Sequence, residues 1–227
     1  KKHTTGSLSI VCYGPSLLDT WREIKRPMLT VSGAHDFMIE RGVVPDYHMD
    51  CDPRLHKAEL VTRLHKDVQY LMATVVHPTF WERLAGHKVR LWHLHNGSET
   101  DTWLAKNDPG SNRIGGGTTA GARALEIGSM LGYRKFEIHG MDCSFRGERR
   151  HAGKHDGKKQ NEIEVLVAGR KFTSSVQMVE AAREILVFIS NYDAELWFHG
   201  DGLQQTMVQA FKSRFGVFPA KQLSEVA

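Results

Sequence analysis

The segment RIGGGTTAGARAL, residues 113 to 125, places three glycines and two threonines before an apolar helical pattern. The first amides of a helix lack internal partners and carry partial positive charge, so a helix start can bind an anion. Glycines let an anion approach the backbone, and a threonine hydroxyl can cap the helix or donate to the ligand. The candidate phosphate-binding residues are Gly115, Gly116, Gly117, Thr118 and Thr119. A flexible loop before a helix is the alternative, because no Walker or dinucleotide fingerprint is complete here.

Acidic residues follow two apolar segments at positions suited to a ligand. Asp50 and Asp52, separated by one residue, could ligate Mg²⁺ on a diphosphate or hydrogen-bond a ribose, since carboxylate oxygens suit that hard cation. Asp142 follows another buried run through Gly140 and is a comparable candidate. The alternative for each is local, with Asp52, for example, merely capping the turn before Pro53.

These residues must be positioned by elements that alternate along the chain. Short apolar runs favour strands at 8–13, 28–32, 47–50, 68–75, 88–93, 135–140 and 194–199. Helical periodicity falls at 17–24, 34–41, 79–85, 118–131, 175–190 and 203–213. The alternation predicts a single Rossmann-like α/β domain over residues 1–227, with a mainly parallel, doubly wound sheet and segments 8–13 and 135–140 in its interior.

In an open parallel sheet, ligands bind beyond the carboxyl ends of the strands. That rule selects the turn after each predicted strand and adds candidate nucleotide-binding residues Gly14, Pro15, Ser16, Ser32 and Gly33. The polar stretch at 146–160 has no apolar face to bury and is predicted to be a lid loop, with an ordinary solvated loop as the alternative.

Composition excludes several classes of protein. The 227 residues are 41% hydrophobic and 25% charged, and the net charge of +4 hints at an anionic partner. Three distant cysteines without a CxxC pair argue against a disulfide framework and a zinc ribbon, and they favour the reducing cytoplasm. No apolar run approaches the roughly 18 residues of a membrane span, and zinc-protease and serine-hydrolase motifs are missing. Because the sequence starts abruptly at Lys1, a further N-terminal segment could precede it.

Four stretches together resemble a known family: YGPSL (13–17), GVVPDYHMDCDP (42–53), GGGTTAGARALEIGSMLGYRKFEIHGMDCSF (115–145) and GERRHAG (147–153). They are similar to the MptE-like family, which includes archaeal 6-hydroxymethylpterin diphosphokinases and the bacterial motility accessory factors that glycosylate flagellin. The first and third stretches also resemble bacterial sialyltransferases that use CMP-sialic acid. The resemblance covers roughly residues 8 to 200.

The resemblance implies a nucleotide site. In it, Gly14, Ser16 and the loop from Gly115 to Thr119 surround phosphate, Asp142 helps to form the pocket floor, and Asp52 lies where the diphosphokinases are thought to hold metal. This chain departs from the diphosphokinases because Pro53 replaces the glycine of an acidic-Leu-acidic-Gly pattern, which puts metal binding in question.

The chain also departs from the sialyltransferases at their general-base histidine. The corresponding segment, 169–173, contains no histidine, so His151 or His155 of the loop would substitute. Arg170 and Lys171 of the same segment would instead offer positive charge to a diphosphate or a sugar carboxylate.

Three functions follow as hypotheses. The first is pyrophosphoryl transfer from ATP to a small hydroxymethyl-bearing acceptor, with Mg²⁺ on Asp50 and Asp52 and with developing charge stabilised by Arg54, Arg170 or Lys171. The second is glycosyl transfer from a CMP-sugar to a small-molecule or glycan acceptor, with a loop histidine as base. The third is a non-catalytic nucleotide-binding module. A nucleic-acid partner is not expected, and homo-oligomerisation is left open.

Overall fold

The computed structural model describes residues 4–153, 161–191 and 194–215. The strands in these ranges are Ser7–Val11 (β1), Met28–Val31 (β2), Tyr47–Asp50 (β3), Gln69–Ala73 (β4), Lys88–Leu94 (β5), Arg113–Ile114 (β6), Lys135–His139 (β7), Ile163–Val167 (β8), Arg170–Ser174 (β9) and Glu195–Phe198 (β10). The helices are Leu17–Thr20 (α1, followed by a 3-10 turn over Trp21–Glu23), Ala34–Ile39 (α2), Leu55–Ala58 (α3), Pro78–Arg83 (α4), Glu99–Asn107 (α5), Ala120–Met130 (α6), Val176–Asn191 (α7) and Leu203–Phe215 (α8).

Eight strands form one sheet in the order β10-β7-β1-β2-β3-β4-β5-β6, and every neighbouring pair is parallel. The predicted α/β fold with a parallel sheet is therefore confirmed, as is the interior position of β1 and β7. From β1 the chain builds the sheet outward to β6 and then returns to the other side of β1 with β7 and β10. The direction of building thus reverses between β1 and β7, which is where an open α/β sheet forms its ligand crevice.

The central strands β1 and β7 direct large apolar side chains at alternate positions to the face of the sheet that α6 covers. Leu8 and Ile10 of β1 and Phe136 and Ile138 of β7 are all 0% exposed. Helix α6 packs against β1 and β2. A Cβ added at Gly128 of α6 would lie 2.5 Å from the Phe136 ring, so this glycine allows close contact between helix and sheet. The close packing fixes the direction in which the start of α6 points.

A two-stranded antiparallel hairpin, β8–β9, lies outside the main sheet and was not predicted. Its turn uses left-handed backbone at Ala168 (φ 50°) and Gly169 (φ 77°), as the tightest hairpin turns require. Helix α5 and the two-residue strand β6 were also not predicted, because neither carries a strong apolar period.

The first part of the predicted lid, residues 146–153, lies against the body of the protein. Arg146 pairs with Asp19 at 2.6 Å, and the Ala152 amide donates to the Tyr13 carbonyl at 2.9 Å. Residues 154–160 of the predicted lid, including His155, lie outside the described residues. No helix among the described residues is both long and apolar enough to cross a membrane.

Candidate functional site

A cleft of about 680 Å³ opens at the carboxyl edge of the sheet, where the order of building reverses. The turns after β1, β2, β3 and β7 line it, together with the first turns of α6 and α7. The predicted site residues among its lining are Gly14, Pro15, Ser32, Asp50, Asp52, Thr118, Thr119, Asp142 and His151. Residues scattered over more than half of the sequence therefore meet at one surface.

Asp142 connects the turns that follow β1 and β7. The Ser16 amide donates to Asp142 Oδ2 at 2.7 Å, and the Ser16 hydroxyl donates to Oδ1. The side-chain amide of Gln205 in α8 donates the third hydrogen bond of this carboxylate, to Oδ1 at 3.0 Å. The side chain is 3% exposed, and burial raises the pKa of Asp142 although the Ser16 hydrogen bonds oppose the shift. Because both carboxylate oxygens are engaged, this geometry suits a residue that holds the site together.

Gly14 makes this connection sterically feasible. Its amide donates to the Gly140 carbonyl at 2.7 Å, and a Cβ added at Gly14 would lie 2.5 Å from the same oxygen. No larger residue fits without moving one of the two turns. Ser16 itself is fully buried beneath the cleft and acts on it through Asp142.

Asp50 ends β3 and is 1% exposed. Its Oδ1 accepts from the Cys51 and Asp52 amides at 2.7 and 3.0 Å, whereas its buried Oδ2 has no partner among the described residues. Burial raises the pKa of Asp50 to about 6. An unpaired buried oxygen costs free energy in the unliganded protein, so this atom is the strongest structural indication of a ligand.

Asp52 differs from Asp50 because it is already paired. Arg54 donates to it through Nε at 2.8 Å and through the guanidinium nitrogen Nη2 at 2.5 Å. Burial alone would raise the pKa of Asp52, but the hydrogen bonds from Arg54 outweigh it and hold that pKa below its usual value. To bind a cation, Asp52 must first release the guanidinium of Arg54.

The acidic pair fits a magnesium ion that arrives with phosphate better than a resident metal centre. Within the described ranges, no group of three or more His, Cys, Asp or Glu side chains could hold a metal ion. Mg²⁺ commonly binds through one or two carboxylates and completes its octahedron with water and substrate phosphates. Asp50 Oδ2 could supply one such ligand, and Asp52 a second after release of Arg54.

Ser32 lies beside Asp50. Val31 of β2 pairs with Met49 of β3, so the residues that follow them, Ser32 and Asp50, are neighbours. Ser32 has left-handed backbone (φ 52°), and its buried Oγ has no partner among the described residues. Gly33 is not in the cleft lining; a Cβ there would collide with the Tyr13 ring, so this glycine serves the packing of Tyr13.

The glycine loop reaches the cleft through its threonines. Thr119 is the N-cap of α6 and accepts from the Ala122 amide at 3.4 Å. Gly116 (φ 94°) and Gly117 (φ 79°) have the left-handed backbone that favours glycine. Gly115, Gly116 and Gly117 are outside the cleft lining and shape the approach of Thr118 and Thr119 to it.

His151 is the predicted base that the structure brings to the cleft. Its ring stacks on Tyr13 with centroids 5.5 Å apart and planes 16° apart, and both rings line the cleft. Arg170 lies elsewhere, on the β8–β9 hairpin, where it pairs with Asp201 at 2.9 Å and is absent from the described cleft lining. Lys171 pairs with Glu164 across the same hairpin at 3.6 Å.

A family model described as "6-hydroxymethylpterin diphosphokinase MptE-like" matches residues 2–148. The chain belongs to the MptE-like family. A search of curated proteins finds no match. A solved MAf glycosyltransferase from Magnetospirillum magneticum AMB-1 is similar in fold, with a TM-score of 0.63 and 14% identity. The similarity covers 95% of this chain and 38% of that one.

The resemblance to the MptE-like family is thus confirmed, and the description of that family supports a transferase in general. The solved structure shows the shared fold. The matched MptE-like segment contains the turns after β1, β2, β3 and β7 and the start of α6. Helix α7, which contributes Gln177 and Met178 to the cleft, follows that segment. One wall of the site therefore lies outside the family match.

Several cleft residues of this MptE-like chain were not predicted. They are Cys12, Tyr13, His56, Lys57, Arg150, Gln177 and Met178. Lys57 lies on the four-residue helix α3, which is too short to show a helical period. Burial lowers the pKa of Lys57, although Asp52 and Asp50 oppose the shift. The available signal was the closeness of this lysine to the acidic pair in sequence.

The cleft combines both signs of charge. Arg54, Lys57 and Arg150 bring cationic groups to the same lining as the carboxylates of Asp50 and Asp52. Cations can neutralise phosphate oxygens, and carboxylates can ligate a divalent ion on the same phosphates. The arrangement is suited to a phosphate-containing donor whose leaving group gains negative charge.

Proposed function

We propose that this chain is a nucleotide-dependent transferase that moves a diphosphoryl group from ATP to a small hydroxymethyl-bearing acceptor in the presence of Mg²⁺. The observation that carries the proposal is the unpartnered, buried Asp50 Oδ2 in the same cleft as the start of α6. A carboxylate held in this way needs a cation or a hydrogen-bond donor, and a nucleotide phosphate needs a cation.

Each part of the cleft has a role in this reaction. The start of α6 and the turn containing Gly14 would hold the phosphates, while Arg54 and Lys57 would offset their charge. Mg²⁺ on Asp50, with Asp52 as a second ligand, would supply neutralisation of the phosphate oxygens. The acceptor oxygen attacks the β-phosphorus, the bond from that phosphorus to the α-phosphate bridge breaks, and AMP leaves. His151 is the candidate to take the acceptor proton.

Glycosyl transfer from a CMP-sugar is the second candidate, and a specific observation favours it. The fold is shared with a protein described as a MAf glycosyltransferase. His151, in the cleft beside Tyr13, is the candidate base for either reaction. In this reaction the acceptor oxygen attacks the anomeric carbon and CMP leaves, so the released nucleotide separates the two functions.

A thermal-shift panel of ATP, GTP, CTP, CMP and CMP-sugars, each with and without Mg²⁺, selects the donor, because a ligand stabilises the folded state according to its affinity. Incubation with candidate hydroxyl acceptors then shows whether AMP or CMP is released. We expect ATP with Mg²⁺ to give the largest shift and AMP to be the product. CMP release would favour the glycosyltransferase, and binding without either product would favour a non-catalytic module.

Asp50→Asn tests the proposed metal ligand. We expect the variant to lose the extra ATP affinity that Mg²⁺ provides, about tenfold, and to retain the affinity for ATP alone. Asp67→Asn is the matched control, because it removes the same charge from a side chain that is 65% exposed and not in the cleft lining. An undiminished Mg²⁺ effect in Asp50→Asn would remove Asp50 from the metal site.

A further inference from the structure

A carboxylate of α7, that of Glu184, holds the glycine loop. Glu184 Oε2 accepts from the Thr118 amide at 2.7 Å and from the Thr118 hydroxyl at 2.9 Å. Gly117 is needed for this contact, because a Cβ at that position would collide with the Glu184 carboxylate. An anionic oxygen therefore already accepts from both the amide and the hydroxyl of Thr118, one of the two threonines through which the loop reaches the cleft.

This arrangement is chemically equivalent to phosphate recognition. An amide and a hydroxyl that converge on one anionic oxygen form charge-assisted hydrogen bonds, whether the oxygen belongs to a carboxylate or to a phosphoryl group. The same two donors cannot serve both anions fully at one time. Binding of a phosphoryl oxygen at Thr118 must therefore displace Glu184 or be repelled by it.

Glu184 is close enough to the cleft for such competition. Gln177, two helical turns before Glu184 on the same face of α7, lines the cleft with Thr118. The pKa of the cleft residue Cys143 is raised to about 12, mainly by burial and further by the charges of Asp142 and Glu184. The charge of Glu184 thus acts on a side chain inside the cleft.

We propose that Thr118 forms a phosphoryl-binding subsite that Glu184 occupies in the unliganded protein and vacates when a diphosphate binds. The inference rests on the proposed function in assigning this cleft to a phosphate-containing ligand, and it adds a competing internal anion. The carboxylate lowers the affinity for free diphosphate and orders the loop until the ligand arrives.

A different role for Glu184 predicts the opposite change in affinity. If the carboxylate is only a brace for the loop, its removal loosens Thr118 and weakens diphosphate binding. If it competes with the ligand, its removal strengthens binding. Glu184→Gln separates the two roles because the amide keeps the size of the side chain and an oxygen for Thr118 but removes the negative charge.

Calorimetric titration with inorganic pyrophosphate measures the effect without knowledge of the nucleotide. We expect Glu184→Gln to bind pyrophosphate about tenfold more tightly than the unmodified chain. Glu180→Gln is the control, since it removes the same charge one turn earlier on α7, where Glu180 is exposed and pairs with Arg183 at 3.4 Å. The control is expected to change affinity less than about twofold.

Weaker binding by Glu184→Gln, with a lower melting temperature, would overturn the proposal in favour of a brace. Unchanged affinity would overturn it as well, as would failure of both proteins to bind pyrophosphate. The proposed function is judged separately: pyrophosphate binding without release of AMP or CMP leaves the subsite intact and contradicts the transferase.

Discussion

Two buried aspartates at strand ends of the same cleft are held in opposite ways. Asp142, after β7, receives three hydrogen bonds that engage both of its oxygens. Asp50, at the end of β3, has two backbone donors on one oxygen and no partner among the described residues on the other. Both side chains are almost fully buried, at 3% and 1% exposure.

The difference teaches that burial alone does not distinguish a structural carboxylate from a ligand-binding one. Asp142 joins the two turns at which the sheet reverses its order, so its hydrogen bonds stabilise the shape of the cleft. Asp50 is kept in place through Oδ1, which leaves Oδ2 for a ligand. The number of satisfied oxygens, rather than the residue type, separates the two roles.

The largest effect is expected for Asp142→Ala, when the replacement of each aspartate by alanine is compared. Asp142→Ala loses three hydrogen bonds to a charged group and leaves the Ser16 amide buried, so we expect the free energy of unfolding to fall by about 4 kcal/mol. Asp50→Ala loses two backbone donors and also removes a costly buried charge, so we expect a fall of about 1 kcal/mol. Urea denaturation of both variants at neutral pH gives the two values, and equal losses would contradict the contrast.

A smaller effect is expected from pH, because burial raises the pKa of Asp50 from 3.8 to about 6. The unfolded chain releases this proton near pH 3.8, whereas the folded chain keeps it up to about pH 6. Between these values the folded state binds more protons, so this carboxyl group makes stability fall as pH rises. At about 1.4 kcal/mol per unit of pKa, the fall amounts to at most about 3 kcal/mol.

Asp50→Asn isolates this contribution, since asparagine does not titrate and keeps an oxygen for the two backbone donors. We expect the variant to gain stability relative to the unmodified chain from pH 4 to pH 6 and then to keep a constant difference. Denaturation with a metal chelator present, at four pH values from 4 to 7, measures the difference. A difference that does not change with pH would mean that Asp50 ionises in the folded protein as it does in the unfolded chain.

Sequence patterns were sufficient for seven of the eight strands of the main sheet, because these seven are short segments rich in apolar residues, whereas β6 has only two residues. The bounds differ by one or two residues, as at 8–13 against Ser7–Val11 and 135–140 against Lys135–His139. The β8–β9 hairpin was not predicted, because its apolar residues alternate weakly and its turn residue Ala168 is unusual in left-handed backbone. Its pairing depends on tertiary contacts that the local pattern does not contain.

The site was predictable as a set of strand ends but not as a set of contacts. The carboxyl-end rule brought Gly14, Asp50 and Asp142 to one cleft. Neither the pairing of Asp142 with Ser16 nor that of Thr118 with Glu184 could be derived, because each joins residues more than sixty positions apart. Arg170 was assigned by analogy with a motif position, whereas the hairpin places it beside Asp201.

The smallest contrast is expected within the glycine loop, between Gly115, which has room for a Cβ, and Gly117, which packs against Glu184. A Cβ at Gly115 would meet its nearest neighbour, Glu126 Oε2, at 3.6 Å, an ordinary contact. Gly117 combines a φ of 79° with a collision against Glu184. We therefore expect Gly115→Ala to change the free energy of unfolding by less than about 0.5 kcal/mol and Gly117→Ala to lower it by about 1.5 kcal/mol. Paired denaturation curves, with circular dichroism to confirm folding, measure both. If Gly117→Ala were as stable as Gly115→Ala, Glu184 would have moved without cost, and its contact with Thr118 would contribute little to the order of the loop.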